Sequence, residues 1–395
     1  MKLSNFCLCI LLSGSITFAE EIKITGGLEN QSHVVVTLNL KTPVKNPEAA
    51  IGAKAIPAQA TADGKSVVVL IDKIPAKETV TIHIVEGKTP PREVFVWKDP
   101  EGEKPVLEFA GKKVLEYVRP TYDKEATPPK QPLRTNPTTK VYHHLYAEDG
   151  TTRLTNGADG KFSHHRGIFY GFNRINYEGA TGVDVWHCNS GESQQHVKTL
   201  TYEAGPLYGT HTVEIAWNGK DGKPFAREIR QLTVYQCPKG RLVEFQSTLS
   251  TPLEKVRLDG DPQHAGFHFR SHVLVEEKTE NETYFLRPHG KGEKGKEENW
   301  ANAKSPASTI NRPWTAMSFV IADKRYTTVY IDHASNPKEA RQSERKYGRV
   351  GTYFEYDLTK DKPLKVQYRL WVQEGEVTSE QCDDLYRSFN LPTKP

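Results

Sequence analysis

The sequence predicts an all-β protein, a small N-terminal β-sandwich followed by a large double-sheet β-supersandwich. Three observations carry that expectation. Short β-branched and aromatic runs recur along most of the 395 residues, each closed by Gly, Pro, Asn or Asp turn chemistry. Almost no stretch shows sustained helical periodicity. No unit of 20 to 50 residues repeats, which argues against a propeller.

Taken in order, the chain opens with Lys2, an apolar stretch from Phe6 to Leu12, and Thr17 and Ala19 ahead of Glu20 and Glu21. This is the pattern of a secretory leader spanning 1–19 and cut after Ala19, so a periplasmic or extracellular location is expected. Cys7 and Cys9 leave with the leader. The remaining Cys188, Cys237 and Cys382 allow at most one bridge, so stability must come from a packed core.

Residues 20–100 contain the runs EIKITGGL, SHVVVTLNL, KSVVVLIDKI, ETVTIHIVEG and REVFVWKD, which read as a small sandwich with an accessory task as spacer or lid support. The hydrophilic stretch KDPEGEKP, 98–105, is the expected joint. From 105 to 395, runs such as KVLEYV, HTVEIAW, REIRQLTVY, RLVEFQSTL, TAMSFVIA and LKVQYRLWV continue the strand pattern. More than a dozen strands in about 290 residues exceed an immunoglobulin-type module and fit a large double-sheet sandwich. SEQCDDLYRSF, 379–389, is the best helix candidate, with Ser379 at the capping position.

Composition narrows the function. The 53 basic and 49 acidic side chains give a formal charge of +4, too balanced to attract a polyanion, so nucleic acid is excluded as a partner. Beyond the leader no apolar run approaches the ~20 residues that span a bilayer.

Of 14 histidines, 12 fall between His143 and His333, mostly in short clusters. In DGDPQHAGFHFRSH, 259–272, strand alternation puts His264, His268, Arg270 and His272 on one face with Gly266, and Ala265, Phe267 and Phe269 on the other. Such a row would line a polar groove, with Gly266 leaving room for a ligand near the backbone. Imidazole suits acid/base work because its pKa of about 6.5 lies near neutral pH. In SHHRG, His164 and His165 would face opposite ways on an extended chain, so only one reaches the site unless they lie in a loop. Arg166 offers a fork of donors for a carboxylate or sugar hydroxyl. VDVWHC supplies His187 beside Asp184, and Trp186 as a stacking surface or a core residue. Asp332, His333, Asn336 and Arg341 lie close enough in YIDHASNPKEAR to fold toward one pocket.

Metal ligation is the competing use of these histidines. A zinc site often announces itself as HExxH or CxxC, and neither is present, though a divalent metal held by His164, His187 and His264 from distant segments fits the ligand chemistry. GxSxG, GxxxxGK[ST] and the dinucleotide fingerprint are also missing. Asp184, Asp259, Asp261, Asp332 and Glu355 are the carboxylates available for glycoside cleavage. LRPHGKGEKGKEENW, 286–300, reads as a mobile, charged loop over the site or, the favoured reading, as surface.

The blocks HHLYAEDGTTRLT, SHHRGIFYGFNRI, VDVWHC, GDPQHAGFHFR and YIDHASNPKEARQSERKYGRVGTYFEYDL resemble the PmoA-like family of secreted, planctomycete-type proteins over about residues 105–375. That family is often labelled methane oxygenase; a methane-oxidising subunit works within a membrane assembly, which this chain's lack of a span opposes. More distantly, the layout is similar to galactose-mutarotase-like supersandwich proteins, whose members bind sugars on a concave sheet face and in some cases pair a histidine with a carboxylate.

The expectation is therefore a secreted enzyme acting on a sugar or glycoside by His-based epimerisation, elimination or hydrolysis. His264 and His268 would be acid and base, His187 and Asp261 would assist, and His165, Arg166, Trp186, Arg270, His333, Asn336 and Arg341 would bind substrate. A non-catalytic glycan-binding protein and a metal-dependent lyase or oxidoreductase are the rival readings.

Overall fold

The computed structural model describes residues 20–89, 91–261 and 263–390; the expected leader lies outside them. Two large antiparallel sheets face each other. One runs Arg341–Arg345, Arg349–Tyr353, Ala265–Arg270, Ile168–Phe172, Tyr142–Leu145, Lys112–Val118, Val106–Phe109 and Phe95–Lys98. The other has nine strands. It begins with the successive hairpins Ser193–Ala204, Tyr208–Asn218, Pro224–Cys237 and Gly240–Ser250, then continues through Leu364–Glu374, Lys324–Asp332 and Trp314–Ile321 to a short edge. The all-β supersandwich expectation is correct.

The core lies between these sheets because each strand alternates. Ile168, Tyr170, Phe172, Phe267 and Phe269 from one sheet meet Val213, Ile215, Leu232, Val243, Phe245 and Leu370 from the other. Each such side chain contributes about 1.5–3 kcal/mol when buried. The register Phe169↔His268, Tyr170↔Phe267 and Gly171↔Gly266 turns His268 and Phe169 away from this core, onto the outer face of the eight-stranded sheet. Gly266 is there for strand packing. Its φ is +92° and an added Cβ would sit 1.9 Å from the Thr352 carbonyl oxygen, so the expected space for a ligand at this glycine does not exist.

The small module has its own core of Val34, Leu38, Val67, Val69, Ile82 and Ile84. It docks on the outer face of the nine-stranded sheet, where Val68, Leu70, Leu207, Trp371 and Leu385 form one apolar cluster. His33 stacks on Trp371 at 4.4 Å, and the Gln59 side chain accepts from the Leu207 and Tyr208 amides at 3.0 and 2.9 Å. The module is therefore on the side opposite the histidine-rich face, and a lid role is corrected. The joint expected at 98–105 also moves, because Phe95–Lys98 pairs with Val106–Phe109 as a hairpin of the large sheet. The helix Ser379–Phe389 forms as expected, but Thr378 caps it: its hydroxyl accepts from the Gln381 amide at 3.1 Å, leaving Ser379 as the first helical residue.

Candidate active site

Three loops cover the outer face of the eight-stranded sheet and bring four imidazoles together. Two of the loops share one local design, D-x-x-H. In Asp184–His187, one carboxylate oxygen accepts from the Trp186 and His187 amides at 3.0 and 2.8 Å, and the other accepts from His187 Nδ1 at 2.8 Å. In Asp261–His264 the carboxylate accepts from the Gln263 amide at 2.8 Å, and His264 Nδ1 lies 2.8 and 2.9 Å from its two oxygens. An Asp that closes its own turn and also holds the histidine three residues on fixes the ring and its tautomer, leaving Nε2 outward. Asn173 secures the second dyad by donating to Asp261 at 2.7 Å.

The rings of His187 and His264 are 4.8 Å apart, and His164 lies 4.6 Å from His187 and 4.0 Å from His165. SHHRG is thus a loop, and both its histidines reach the cluster. The cluster meets water at its two dyads: the His264 and His187 side chains are 30% and 17% exposed, whereas His164 and His165 are buried. Burial holds the His164 imidazole well below its ordinary pKa, helped by His187 and Lys140; burial, His164 and Arg349 do the same to His165. Burial also lowers His264, against the opposing pull of Asp261. Asp261 loses water to burial, yet its bonds to His264 and Gln263 keep it below the usual carboxylate range.

Beneath the imidazoles the floor is structural. Trp186 is fully buried, with Phe169 at 4.7 Å and His268 at 4.8 Å, so it is a core residue and not a sugar-stacking surface. His268 is walled off under it, bonded through Nε2 to the Ala265 carbonyl at 2.9 Å, which removes it as an acid or base. Arg166 donates to the carbonyls of Ser163, Pro137 and Asn136 at 2.9, 3.1 and 2.7 Å; it clamps loops and is not free for substrate. Lys140 ties the two histidine loops together through the carbonyls of His164 and Trp186, and burial pushes its pKa down to about 7.

The predicted row of His264, His268, Arg270 and His272 dissolves for the same reason. His264 precedes the strand, Arg270 pairs with Glu276 at 2.6 Å, and His272 accepts from the Leu274 amide after the strand ends. His333 bonds Ser335 at 2.7 Å and packs on Phe389 beside the C-terminal helix, and Asn336 bonds Asp332 at 2.6 Å and the Gln367 carbonyl, so neither joins the cluster. Arg341 is engaged by Glu355 at 2.6 Å and Tyr353 at 3.0 Å, with its guanidinium over Trp300. Arg349 escaped notice in the sequence: fully buried, it lies 3.3 Å from His165 Nε2 and donates to the Gln263 carbonyl. It pairs with Arg270 across strands, a register that only the structure supplies. A polar cleft of about 540 Å³ lined by Arg119, Gln195, His196 and Lys198 contains none of these dyads.

Comparison with known proteins adds a family. The model of DUF6807, a family of unknown function, matches residues 104–387. No curated protein matches. Two solved structures are similar over 94% of this chain: an alpha-mannosidase from Enterococcus faecalis V583, at 9% identity and a TM-score of 0.38, and a glycosyl hydrolase family 38 protein from Enterococcus faecalis, at 8% and 0.37. The chain spans under half the length of each, 44% and 45%.

Proposed function

Given that the chain belongs to the DUF6807 family, whose function is unknown, we propose from its own residues that it is an exported enzyme transferring protons on a sugar or glycoside. The observation that carries this reading is the pair of Asp–His dyads with the same D-x-x-H spacing, their rings 4.8 Å apart and both partly exposed. A carboxylate behind each imidazole fixes which nitrogen faces the substrate and stabilises the imidazolium when a proton arrives. His187, held by Asp184, is the acid/base group; His264, held by Asp261, packs beside it and is the second imidazole available to the same substrate. Epimerisation, elimination and hydrolysis all need this element.

The sugar assignment rests on the likeness of the strand-rich layout to supersandwich proteins, an argument at fold level. In a purely binding role Trp186, fully buried, would offer no face to a sugar ring, and the half-buried Phe162 and Tyr347 beside His165 would be the aromatic contacts.

The test is a product screen against plant and algal glycans and oxidised sugars. Once a substrate is found, His187→Ala should lower kcat by roughly 10²–10⁴-fold, the usual worth of a positioned acid/base. Full turnover in that variant would reject the assignment.

A further inference from the structure

We propose that His164, His165 and His264 form a site for one divalent transition-metal ion, with His187 at its open side. One ring nitrogen from each of the three lies within 4.8 Å of the others. His164 carries the strongest evidence. It is only 6% exposed, and neither of its ring nitrogens has a hydrogen-bond partner. A buried polar atom left unpaired costs about 1–3 kcal/mol, and this ring leaves two unpaired among other imidazoles. His165 Nδ1 is unpartnered as well. An ion gives these nitrogens the partner that the protein does not.

The surroundings fit. His264 turns its Nδ1 to Asp261, and Asn173 holds Asp261 in turn. This carboxylate–histidine arrangement orients metal ligands and raises their basicity. Three nitrogen ligands with one side toward solvent match a catalytic rather than a closed structural site, and imidazole selects zinc, iron, copper or nickel over magnesium or calcium. Metal–nitrogen bonds of about 2.0–2.1 Å place tetrahedral ligands about 3.4 Å apart, so the rings need close by no more than about 1.4 Å. Arg349, 3.3 Å from His165 Nε2, opposes a cation, and the charges of Asp261 and Asp184 on the imidazoles offset it.

The inference rests on reading this histidine cluster as the reaction centre, and it gives His264 a ligand's task while leaving proton transfer to His187, held by Asp184. A bound ion there would polarise a sugar oxygen or activate a water.

The experiment uses the mature chain without a His tag, stripped by chelator and titrated with zinc(II) and with cobalt(II). One equivalent should bind, with a cobalt spectrum of nitrogen coordination and a raised thermal midpoint. Asp261→Asn should weaken binding about 10–100-fold, as loss of a partner behind a ligand does. His164→Ala should abolish stoichiometric binding, with circular dichroism confirming its fold. Absence of a bound equivalent of either ion, or binding indifferent to His164→Ala, overturns the site. If no ion binds and His187→Ala still abolishes turnover, the metal inference alone falls; if the ion binds and His187→Ala turns over normally, the acid/base reading alone falls.

Discussion

Lowering the pH from 7.5 to 5.0 should destabilise the fold through a pair of histidines buried between the sheets. His143 and His211 are fully buried between the two large sheets, Nε2 to Nε2 at 2.9 Å, with Tyr117 stacked on His143 at 4.7 Å. One ring donates and the other accepts; burial favours the neutral form of each, and two neutral rings bonded this way have opposite tautomers. Burial holds His211 at about 3, with Arg230 adding to the effect, and burial, with His211 and Arg230, also holds His143 well below its ordinary value. The sign follows from linkage. Below pH 6.5 the unfolded chain binds these protons and the folded chain refuses them, so stability falls as pH drops toward 3. At pH 5.0 an unfolded imidazole of pKa about 6.5 gains about 2 kcal/mol by protonation, so the pair contributes about 4 kcal/mol of acid destabilisation. Urea unfolding at both pH values, followed by tryptophan fluorescence, measures it. The double variant His143→Leu/His211→Leu should lose about 4 kcal/mol less than the wild type over this interval. An identical loss in the two proteins would refute the buried neutral pair.

Gly266→Ala should cost more than about 3 kcal/mol, read as a lowered denaturant midpoint, because the methyl group meets the Thr352 carbonyl in a backbone with φ of +92°. Glu344→Gln should cost about 1.5–3 kcal/mol by the same measurement, since the fully buried carboxylate binds Arg287 at 2.7 Å and Arg312 at 2.6 Å and its loss leaves Glu298 as the one carboxylate pairing both guanidinium groups. Asp184→Asn should lower kcat by about 10²-fold or more with circular dichroism unchanged, because the amide no longer fixes the His187 tautomer; wild-type kcat would exclude a positioning role.

Much of the site was legible locally. D-x-x-H occurs at Asp184–His187 and Asp261–His264, and the turn chemistry of aspartate with the reach of a histidine three residues on is enough to pair them. The alternation in 265–270 also holds, since His268 and Arg270 do share a face. What alternation cannot supply is the cover on that face. Trp186 arrives from another loop and packs on His268 at 4.8 Å, so an outward strand position became a buried one.

The sequence by itself determined the all-β class, the C-terminal helix and the concentration of imidazoles, because strand period, capping and turn propensity act over a few residues. Tertiary structure decided that His164, His165, His187 and His264 meet while His333 and Asn336 do not, and that the small module covers the opposite sheet. Those outcomes depend on which faces of distant strands are left uncovered, and only long-range packing of the two sheets fixes that.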